Sequence, residues 1–576
     1  MSTSTWSTQP ATGEWNTATN WAPAAVPTDT ATFATSSQTA ITFSPTNAAT
    51  VNTIQFAAGA SAYSFTFGTS STPALTISGQ GIVNSSTSRQ CFVVTATSSG
   101  YQEPQLVFSN SATAGGSNIF YSVGPVTPKS QGGGVISFCD TSTAGSASFT
   151  VTTGTAKPPE NSTVGGEVSF SDTSTAGTAS FTIYGTTGSD GDTFGNAVFH
   201  DSSTAANATF TNIGGTVTGG DGGNTQFYNN STAANGVFNN YGGTVSQANG
   251  GDVAFDGTSN GGQGKFYNHA ATVTGAYGGV TSFNNNPPDM ATTQGASAGN
   301  GCYYNYGAQE SGQGGGGHIE FSAKSGSPTA ANGSFINYGS AIAGSSNAGH
   351  TIFSITLPTE YYPTAGNATF TNQPGTAEGA AAGFTEFSVY STSPPNATPG
   401  SNVPTAGDGT FINEGGNISG ATGGYTTFSG ASSAGNAKLI ANGGSNGGGG
   451  GQIVFSYNSS GGTASVQLSG NGELNISEHT GGLSIGTLDL TGGIISTLLG
   501  TNVTGLTLSG KLTQNSTPAT FTFCEGGGFA FNTPYTILTA SNLSSFTAAQ
   551  FNGNSVQGVE PTFTIVGNDL QVSFKQ

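Results

Sequence analysis

Three consecutive stretches of identical length in the middle of the chain decide the fold. Residues 199–226 read FHDSSTAANATFTNIGGTVTGGDGGNTQ, residues 227–254 read FYNNSTAANGVFNNYGGTVSQANGGDVA, and residues 255–282 read FDGTSNGGQGKFYNHAATVTGAYGGVTS. Each stretch begins with Phe, carries a second Phe eleven residues later, and is 28 residues long. A fixed period between about 20 and 50 residues is typical of solenoids and other repeat proteins.

The same two aromatic positions recur, with varying intervals, from about residue 135 to about residue 470. A third repeated position is an Asn two residues after the second aromatic, which is present in seven consecutive units. The first aromatic position includes Phe199, Phe227, Phe255 and Phe283, the second includes Phe210, Phe238 and Phe266, and the Asn position includes Asn212, Asn240, Asn268, Asn305 and Asn337.

Each unit contains short runs in which apolar and polar residues alternate, such as residues 251–255 (GDVAF), separated by Gly-rich turn signals. Alternation predicts strands, and no segment has helical periodicity. One unit of this size cannot bury its own apolar face, whereas stacked units can. We therefore predict an all-β chain that forms a parallel β-solenoid, most simply a right-handed β-helix of about twenty coils. A β-propeller is the architectural alternative.

Stacking assigns a role to each part of the chain. Residues 135–470 are predicted to form the regular coils, residues 1–134 the N-terminal cap and first coils, and residues 471–576 the C-terminal coils and cap. Equivalent rings are expected to lie about 4.8 Å apart in aromatic ladders, and the Asn side chains to form an internal amide ladder, as in cross-β assemblies. An exposed terminal coil invites aggregation, so we expect a Trp lid over the first coil. Its residues are Trp6, Trp15 and Trp21.

The composition excludes several classes of protein. Of 576 residues, 92 are Gly, 8 are Lys or Arg and 27 are Asp or Glu, for a net charge of −19. A charged fraction of 6% is too low for a coiled coil or helical bundle, and 37 Phe and 18 Tyr argue against disorder. Eight cations cannot neutralise a phosphate backbone, so no nucleic-acid partner is expected. No apolar run is long enough to predict a membrane span. Stacking explains the scarcity of charge, because like charges in adjacent layers repel.

Insertions enter the repeat at one place only, between the first and second aromatic positions. They occupy residues 284–302, 322–334, 354–369 and 388–410, in four consecutive units. Insertions at one corner of a solenoid project from one face, often the binding face. We predict that this corner contacts a glycan or a protein; the alternative is drift in surface loops that tolerate insertions. The residues singled out are Pro287, Asp289, Tyr303, Glu360, Tyr361, Tyr362 and Tyr390.

Little in the chain points to catalysis or metal binding. Carboxylates do not cluster when the units are aligned, although Glu320 and Glu386 each immediately precede a first aromatic position. His318 and His350 occupy equivalent positions and are expected to stack in adjacent coils. Residues 219–224 (GGDGGN) partly resemble a calcium-binding nonapeptide but do not repeat every nine residues. We predict no enzyme, no metal and no cofactor, with Ca²⁺ as an alternative.

The four cysteines stand far apart, and their spacings fit no metal or redox motif. We expect buried small side chains, with a disulfide between neighbouring layers as the alternative. The residues are Cys91, Cys139, Cys302 and Cys524.

The two ends of the chain carry a resemblance to known proteins. Residues 5–33 read TWSTQPATGEWNTATNWAPAAVPTDTATF, residues 535–540 read YTILTA, and residues 563–570 read FTIVGNDL. These segments resemble the start and close of large bacterial secreted β-helical proteins, the autotransporter passengers and related repeat-rich surface families. The resemblance implies export and an extracellular or cell-surface location.

Together these features predict a non-enzymatic structural or adhesive surface protein, with head-to-tail self-assembly into fibres as one mode of action. Its partner would be another copy of itself, or a glycan or protein on a host or cell surface. Two alternatives stay open: a carbohydrate-active β-helix enzyme or tailspike-like glycan-processing protein, and a passive glycan- or ice-binding module.

Overall fold

The prediction of an all-β parallel solenoid is confirmed. The computed structural model describes residues 2–43, 48–68, 73–96, 105–125, 133–153, 165–188, 194–284, 294–323, 326–357, 360–391, 402–515 and 517–576. The chain forms two compact units, unit 1 (residues 1–281) and unit 2 (residues 282–576). Nearly all strand pairs within each unit are parallel. The predicted divisions after residues 134 and 470 describe the sequence pattern and stay a prediction.

A regular coil consists of two four-residue strands and one bridge. In the coil that begins at Asn224, strand Asn224–Phe227 is followed by the bridging residue Thr232 and then by strand Val237–Asn240. We name the three stacked columns A, T and B in that order. A Gly-rich connection returns the chain from column B to column A of the next coil. This coil pairs in register with both of its neighbours, so Phe227 lies between Phe199 and Phe255.

Unit 1 opens with strands on the T side and continues with regular coils. Column A contains Leu106–Phe108, Val135–Phe138, Glu167–Phe170, Asn196–Phe199, Asn224–Phe227 and Asp252–Phe255. Column B contains Ala40–Thr42, Ser64–Phe67, Gln90–Ala96, Ile119–Pro125, Ser148–Val151, Ser180–Ile183, Thr209–Asn212, Val237–Asn240 and Lys265–Asn268. The T side contains Ser4–Trp6 and Thr30–Phe33, two longer strands run through both A and T (Ala49–Phe56 and Leu75–Asn84), and the unit is completed by the 3₁₀ turn Ala18–Asn20 and strand Trp21–Ala22.

Unit 2 continues the pattern and then departs from it. Column A contains His318–Ser322, His350–Leu357, Phe384–Ser391, Tyr425–Phe428, Gln452–Phe455, Ala519–Glu525 and Phe551–Gly553, and column B contains Cys302–Asn305, Ser334–Asn337, Thr369–Asn372, Thr410–Asn413, Lys438–Ala441 and Leu512–Gln514. Two long strands run through both B and A, namely Ser465–Asn475 and Thr487–Leu499, and the T side contains Gln294–Ser297, Ser327–Thr329, Leu483–Ile485, Leu506–Leu508 and Tyr535–Thr539. The unit closes with the 3₁₀ turns Leu543–Ser545 and Ala548–Gln550 and the strands Pro561–Val566 and Asp569–Phe574, and the division between the units falls within strand Val280–Asn284.

Two aromatic ladders form the core of the regular coils. Phe199 and Phe227 stack with ring centroids 4.7 Å apart, and Phe210 and Phe238 with centroids 4.9 Å apart. The ladders meet edge to face, since Phe227 and Phe238 are 5.8 Å apart with an angle of 77° between their planes. Both are favourable aromatic arrangements, and all four rings are fully buried. Phe266 continues the second ladder in unit 1, and Phe283 stacks on Phe321 in unit 2.

The predicted tryptophan lid lies over the first aromatic ring of unit 1. Trp6, Trp15 and Trp21 are all buried. Trp21 contacts each of the other two edge to face at 4.9 Å, and all three indoles lie within 6.0 Å of the Phe33 ring. Strand Trp21–Ala22 pairs antiparallel with Ser4–Trp6, so it covers the edge of the first strand.

The last sheet of unit 2 also ends in antiparallel pairing. Strand Asp569–Phe574 pairs with Tyr535–Thr539 on one side and with Pro561–Val566 on the other. Pro561–Val566 is one of the two edge strands of this five-stranded sheet, and its Val566 side chain is 54% exposed.

Candidate functional site

A buried amide ladder runs through four successive coils of unit 2. The Asn305 Nδ2 donates to Asn337 Oδ1 at 2.8 Å, Asn337 donates in the same way to Asn372, and Asn372 donates to Asn413, each at 2.8 Å. All four side chains are fully buried at the end of a B strand. Unit 1 contains the same arrangement, in which Asn212 donates to Asn240 and Asn240 to Asn268.

Each rung of this ladder also fastens column B to column A. Asn337 Nδ2 donates to the carbonyl oxygen of Phe384 at 2.9 Å, and Asn337 Oδ1 accepts the hydroxyl of Thr351 at 3.1 Å. Gly383 passes directly over the Asn337 carbonyl, where any side chain would collide with the backbone. The ladder therefore holds the A strand, the B strand and the connection of each coil in one geometry.

The ladder of unit 2 stops where the sequence changes. Asn413 is in register with Ala441 of the next coil, and its Nδ2 is buried without a hydrogen-bond acceptor among the described residues. A buried donor without a partner carries a desolvation cost of roughly 1–3 kcal/mol. Asn413 Oδ1 still accepts from Asn372 and from the hydroxyl of Thr426.

The predicted contact corner is only partly a surface. Tyr303 is fully buried: its ring stacks on Phe335 at 4.6 Å and its hydroxyl donates to the Ala298 carbonyl at 2.8 Å. The prediction that Tyr303 contacts a partner is therefore wrong. Tyr303 was assigned to a loop because it follows an insertion, whereas its position in the repeat is the second aromatic of the core.

The other residues of this corner divide into three groups. Pro287 and Asp289 lie outside the described residues. Glu360 is exposed, and Tyr361 and Tyr362 are half-buried. Tyr390 is 53% exposed, and its hydroxyl lies 3.5 Å from Glu386 Oε1.

The outward side of column A in unit 2 carries a ring stack with carboxylates beside it. His318 and His350 stack at 4.9 Å, and Phe384 and Tyr425 continue the stack at 4.7 and 4.9 Å. His318 Nε2 lies 3.6 Å from Glu320 Oε1. Burial, and then the neighbouring imidazole of His318, lower the pKa of His350 to about 4.

Charged residues do stack in one column of the described part of unit 1, contrary to the expectation that repulsion excludes them. Asp140, Asp172 and Asp201 are exposed at equivalent turns of three successive coils, each with a positive φ of 54–57°. Backbone N–H groups bond their carboxylates across layers: Asp140 N–H to Asp172 at 2.9 Å and Asp172 N–H to Asp201 at 3.1 Å. These bonds and solvent screening offset the repulsion, and Asp tolerates the left-handed conformation.

Exposed tyrosines follow column B, a position that the insertion pattern did not indicate. In unit 1, Tyr184, Tyr241 and Tyr277 are 39%, 41% and 54% exposed. In unit 2, Tyr306 and Tyr338 stack at 5.0 Å. The signal was present in the sequence, since Tyr241, Tyr306 and Tyr338 each directly follow a ladder Asn.

The cysteines are neither fully buried nor disulfide-bonded. Cys91, Cys139 and Cys302 are half-buried, Cys524 is exposed, and all four thiols are free. The prediction of buried side chains and the alternative prediction of a disulfide are therefore both wrong. Burial, with added effects from Asp140 and Asp172, raises the pKa of the Cys139 thiol.

Among the described residues, no group of three or more His, Cys, Asp or Glu side chains is arranged to hold a metal. Asp221, in the segment that partly resembles a calcium site, accepts a hydrogen bond from Asn249 Nδ2 at 2.6 Å. Within the same ranges there is no helix long and apolar enough to span a bilayer. No protein-family model and no curated protein matches the chain.

Proposed function

We propose that this chain is a non-enzymatic extracellular surface protein whose solenoid serves as a rigid structural and adhesive scaffold. The observation that carries the proposal is the buried amide ladder, in which each rung joins two columns of strands as well as successive coils. At Asn337 and Asn372 both atoms of the amide are hydrogen-bonded, and satisfied buried polar networks rigidify a structure and select one register. A stack of coils built in this way resists bending and shear, which suits a spacer that presents surfaces away from a cell.

Two further features support an extracellular setting. Both ends of the chain resemble those of secreted β-helical surface proteins. The outward positions of the regular strands are mostly neutral and polar, as in Ser148, Thr150, Thr209 and Thr211. Such a surface hydrogen-bonds without demanding a charged partner, which is compatible with a glycan or protein on a host or cell surface.

Electron microscopy of the purified chain, with an assay of adhesion to cells and to glycan-coated surfaces, tests the proposal. We expect particles that adhere and whose stacked coils within each unit are stiff. Flexible or collapsed particles would overturn the scaffold, and stiff particles without adhesion would overturn the adhesive role.

Head-to-tail fibre formation is the assembly that we propose for this scaffold. The edge strand Pro561–Val566 contains no charged residue and exposes Val566, and uncharged edge strands readily pair with other chains. Val566→Lys is expected to abolish fibres, whereas Ile418→Lys, at another exposed apolar residue (41% exposed), should leave them intact. Fibres that persist in Val566→Lys would exclude this edge, and dispersed particles of the unmodified chain would exclude self-assembly.

One observation favours a second candidate, a carbohydrate-active enzyme. Glu320 and Glu386 both pair with Ile352, one on each side, so they lie two strand spacings apart, about 9.5 Å. Inverting glycosidases place their two carboxyl groups roughly 6.5–9.5 Å apart. Release of reducing ends from polysaccharides by the unmodified chain, lost in Glu320→Gln and Glu386→Gln, would establish this candidate. If the chain released no reducing ends from neutral or acidic polysaccharides, the enzyme candidate would be excluded and the scaffold proposal would stand.

A further inference from the structure

A groove of about 470 Å³ runs along the turn that follows column B in unit 2. Its walls come from three successive coils, with Tyr306 and Gln309 in the first, Tyr338 in the second, and Gln373 and Thr376 in the third. Asn417, from the coil after these, completes the wall. The volume lies within the range of small-molecule sites, roughly 300–1,000 Å³.

Four side chains in the groove have hydrogen-bonding groups that the protein leaves unused. The Tyr338 hydroxyl, the Gln373 amide, the Thr376 hydroxyl and the Asn417 amide make no hydrogen bond with the described residues, and all four are half-buried or exposed. By contrast, equivalent amides elsewhere in the repeat bond their neighbours, as Asn442 Nδ2 bonds Glu414 at 2.9 Å. The unused groups are therefore available to a ligand.

The groups are ordered along the groove. Tyr338 and Gln373 occupy equivalent positions in adjacent coils, because their N–H groups bond the carbonyls of Asn305 and Asn337. Consecutive coils are spaced about 4.8 Å apart. The Tyr306 and Tyr338 rings are nearly parallel, with 2° between their planes, which fixes the direction of the Tyr338 hydroxyl. Gln309 is also fixed, since its Nε2 donates to the Gly307 carbonyl at 2.9 Å.

The chemistry of the walls defines the ligand. No charged side chain lines the groove in the part of the chain that the structure describes, so an anion or cation would lose hydration without an opposite charge to compensate. The net charge of −19 further disfavours anions. Tyrosine rings, Pro374 and Gly339 supply apolar surface beside hydroxyl and amide groups. A ligand that combines C–H faces with many hydroxyls fits both.

We propose that this groove binds a neutral oligosaccharide laid along the coils, with Tyr338 and Gln373 as its principal hydrogen-bonding residues. This inference rests on the proposed adhesive function, for which it names the site and the class of partner. Another groove of unit 2, of about 520 Å³, is walled mostly by Gly and Ala together with Tyr425 and Gln452. It offers fewer hydrogen-bonding side chains and provides an internal comparison.

Calorimetric titration of the full chain with cellohexaose, mannohexaose, maltohexaose and hexagalacturonic acid tests the proposal. We expect saturable binding of at least one neutral hexasaccharide and none of the acidic one. Tyr338→Phe, which keeps the ring stack, and Gln373→Ala should each weaken binding about five- to tenfold. Tyr425→Phe, in the second groove, should leave the affinity unchanged.

Three results would overturn the assignment: no binding of any neutral probe, preference for the acidic probe, or a loss in Tyr425→Phe that Tyr338→Phe does not share. None of these results bears on the stiffness of the particles seen by electron microscopy. The binding measurements can therefore contradict the groove proposal without contradicting the scaffold proposal. Circular dichroism of each variant verifies that the strands remain.

Discussion

Unit 2 carries two columns of stacked asparagines that differ in their surroundings. In the interior column, Asn305 to Asn413, every side chain is fully buried. Asn305, Asn337 and Asn372 each bond a backbone carbonyl of column A as well as the next asparagine. In the corner column, Asn332 bonds Asn300 at 3.1 Å and Asn367 bonds Asn332 at 3.3 Å, and all three are exposed. Water can replace the corner bonds but not the interior ones. Burial, rather than stacking itself, therefore determines how much a ladder stabilises the fold.

The largest expected effect breaks the interior ladder. Asn337→Ala removes one rung and its bonds to both columns, and leaves a cavity, so we expect a loss of about 3–5 kcal/mol in stability. Asn332→Ala lies in the same coil, on the exposed column, and should cost less than about 1 kcal/mol. Urea midpoints of the two variants measure the difference, and equal midpoints would contradict the dependence on burial.

A second test uses pH on the ring stack of column A. The pKa of His350 is lowered to about 4 in the folded chain, while an unfolded His has a pKa near 6.5. The unfolded state therefore binds more protons between these values. The stabilising contribution is present above about pH 6.5 and is lost as the pH falls to about 4, a change of roughly 3 kcal/mol.

His350→Phe is the matched variant, because Phe384 already occupies this column in the next coil. The variant should keep the stack and lose most of the difference between urea midpoints at pH 7 and pH 4. An undiminished difference would assign the acid sensitivity to other groups.

The end of the interior ladder provides a finer comparison. In the part of the chain that the structure describes, Asn413 Nδ2 already lacks an acceptor, so Asn413→Ala removes fewer favourable contacts than Asn337→Ala. We expect a cost of about 1–3 kcal/mol. If Asn413→Ala destabilised the chain as much as Asn337→Ala in the same urea series, the ladder would act through side-chain volume rather than through hydrogen bonds.

The smallest expected effect concerns the exposed aspartate column of unit 1. Asp172→Asn removes the central charge of three but keeps an acceptor for the Asp140 N–H, as Asn229 Oδ1 does for Asp201 in the native chain. Stability should rise by no more than about 0.5 kcal/mol at low salt and be unchanged at 1 M NaCl. A loss of stability at either salt concentration would show that the carboxylate is needed for the turn.

Sequence reasoning predicted the interior of the repeat better than its surface. The 28-residue period placed Phe227 above Phe199 and Asn240 above Asn212, because identical residues at equal intervals in a solenoid must share a column. The surface was harder to assign. Tyr303 was given to a contact corner although it is buried, and the groove beside Tyr338 was not foreseen, because loop length indicates where chain is added but not which side chains remain exposed.

The amino-acid sequence by itself determined the all-β class, the parallel stacking and the identity of the ladder residues, since these follow from local periodicity. Only the tertiary structure showed that Asn332, five residues from Asn337 in the same coil, belongs to a second and exposed column of asparagines, because burial depends on which side of the turn each side chain takes. The same holds for His350, whose lowered pKa arises from coils packed on both sides, and for the groove, whose walls come from several coils. Periodicity is set by the order of residues along the chain, whereas the burial of a side chain is set by the residues that pack around it in space.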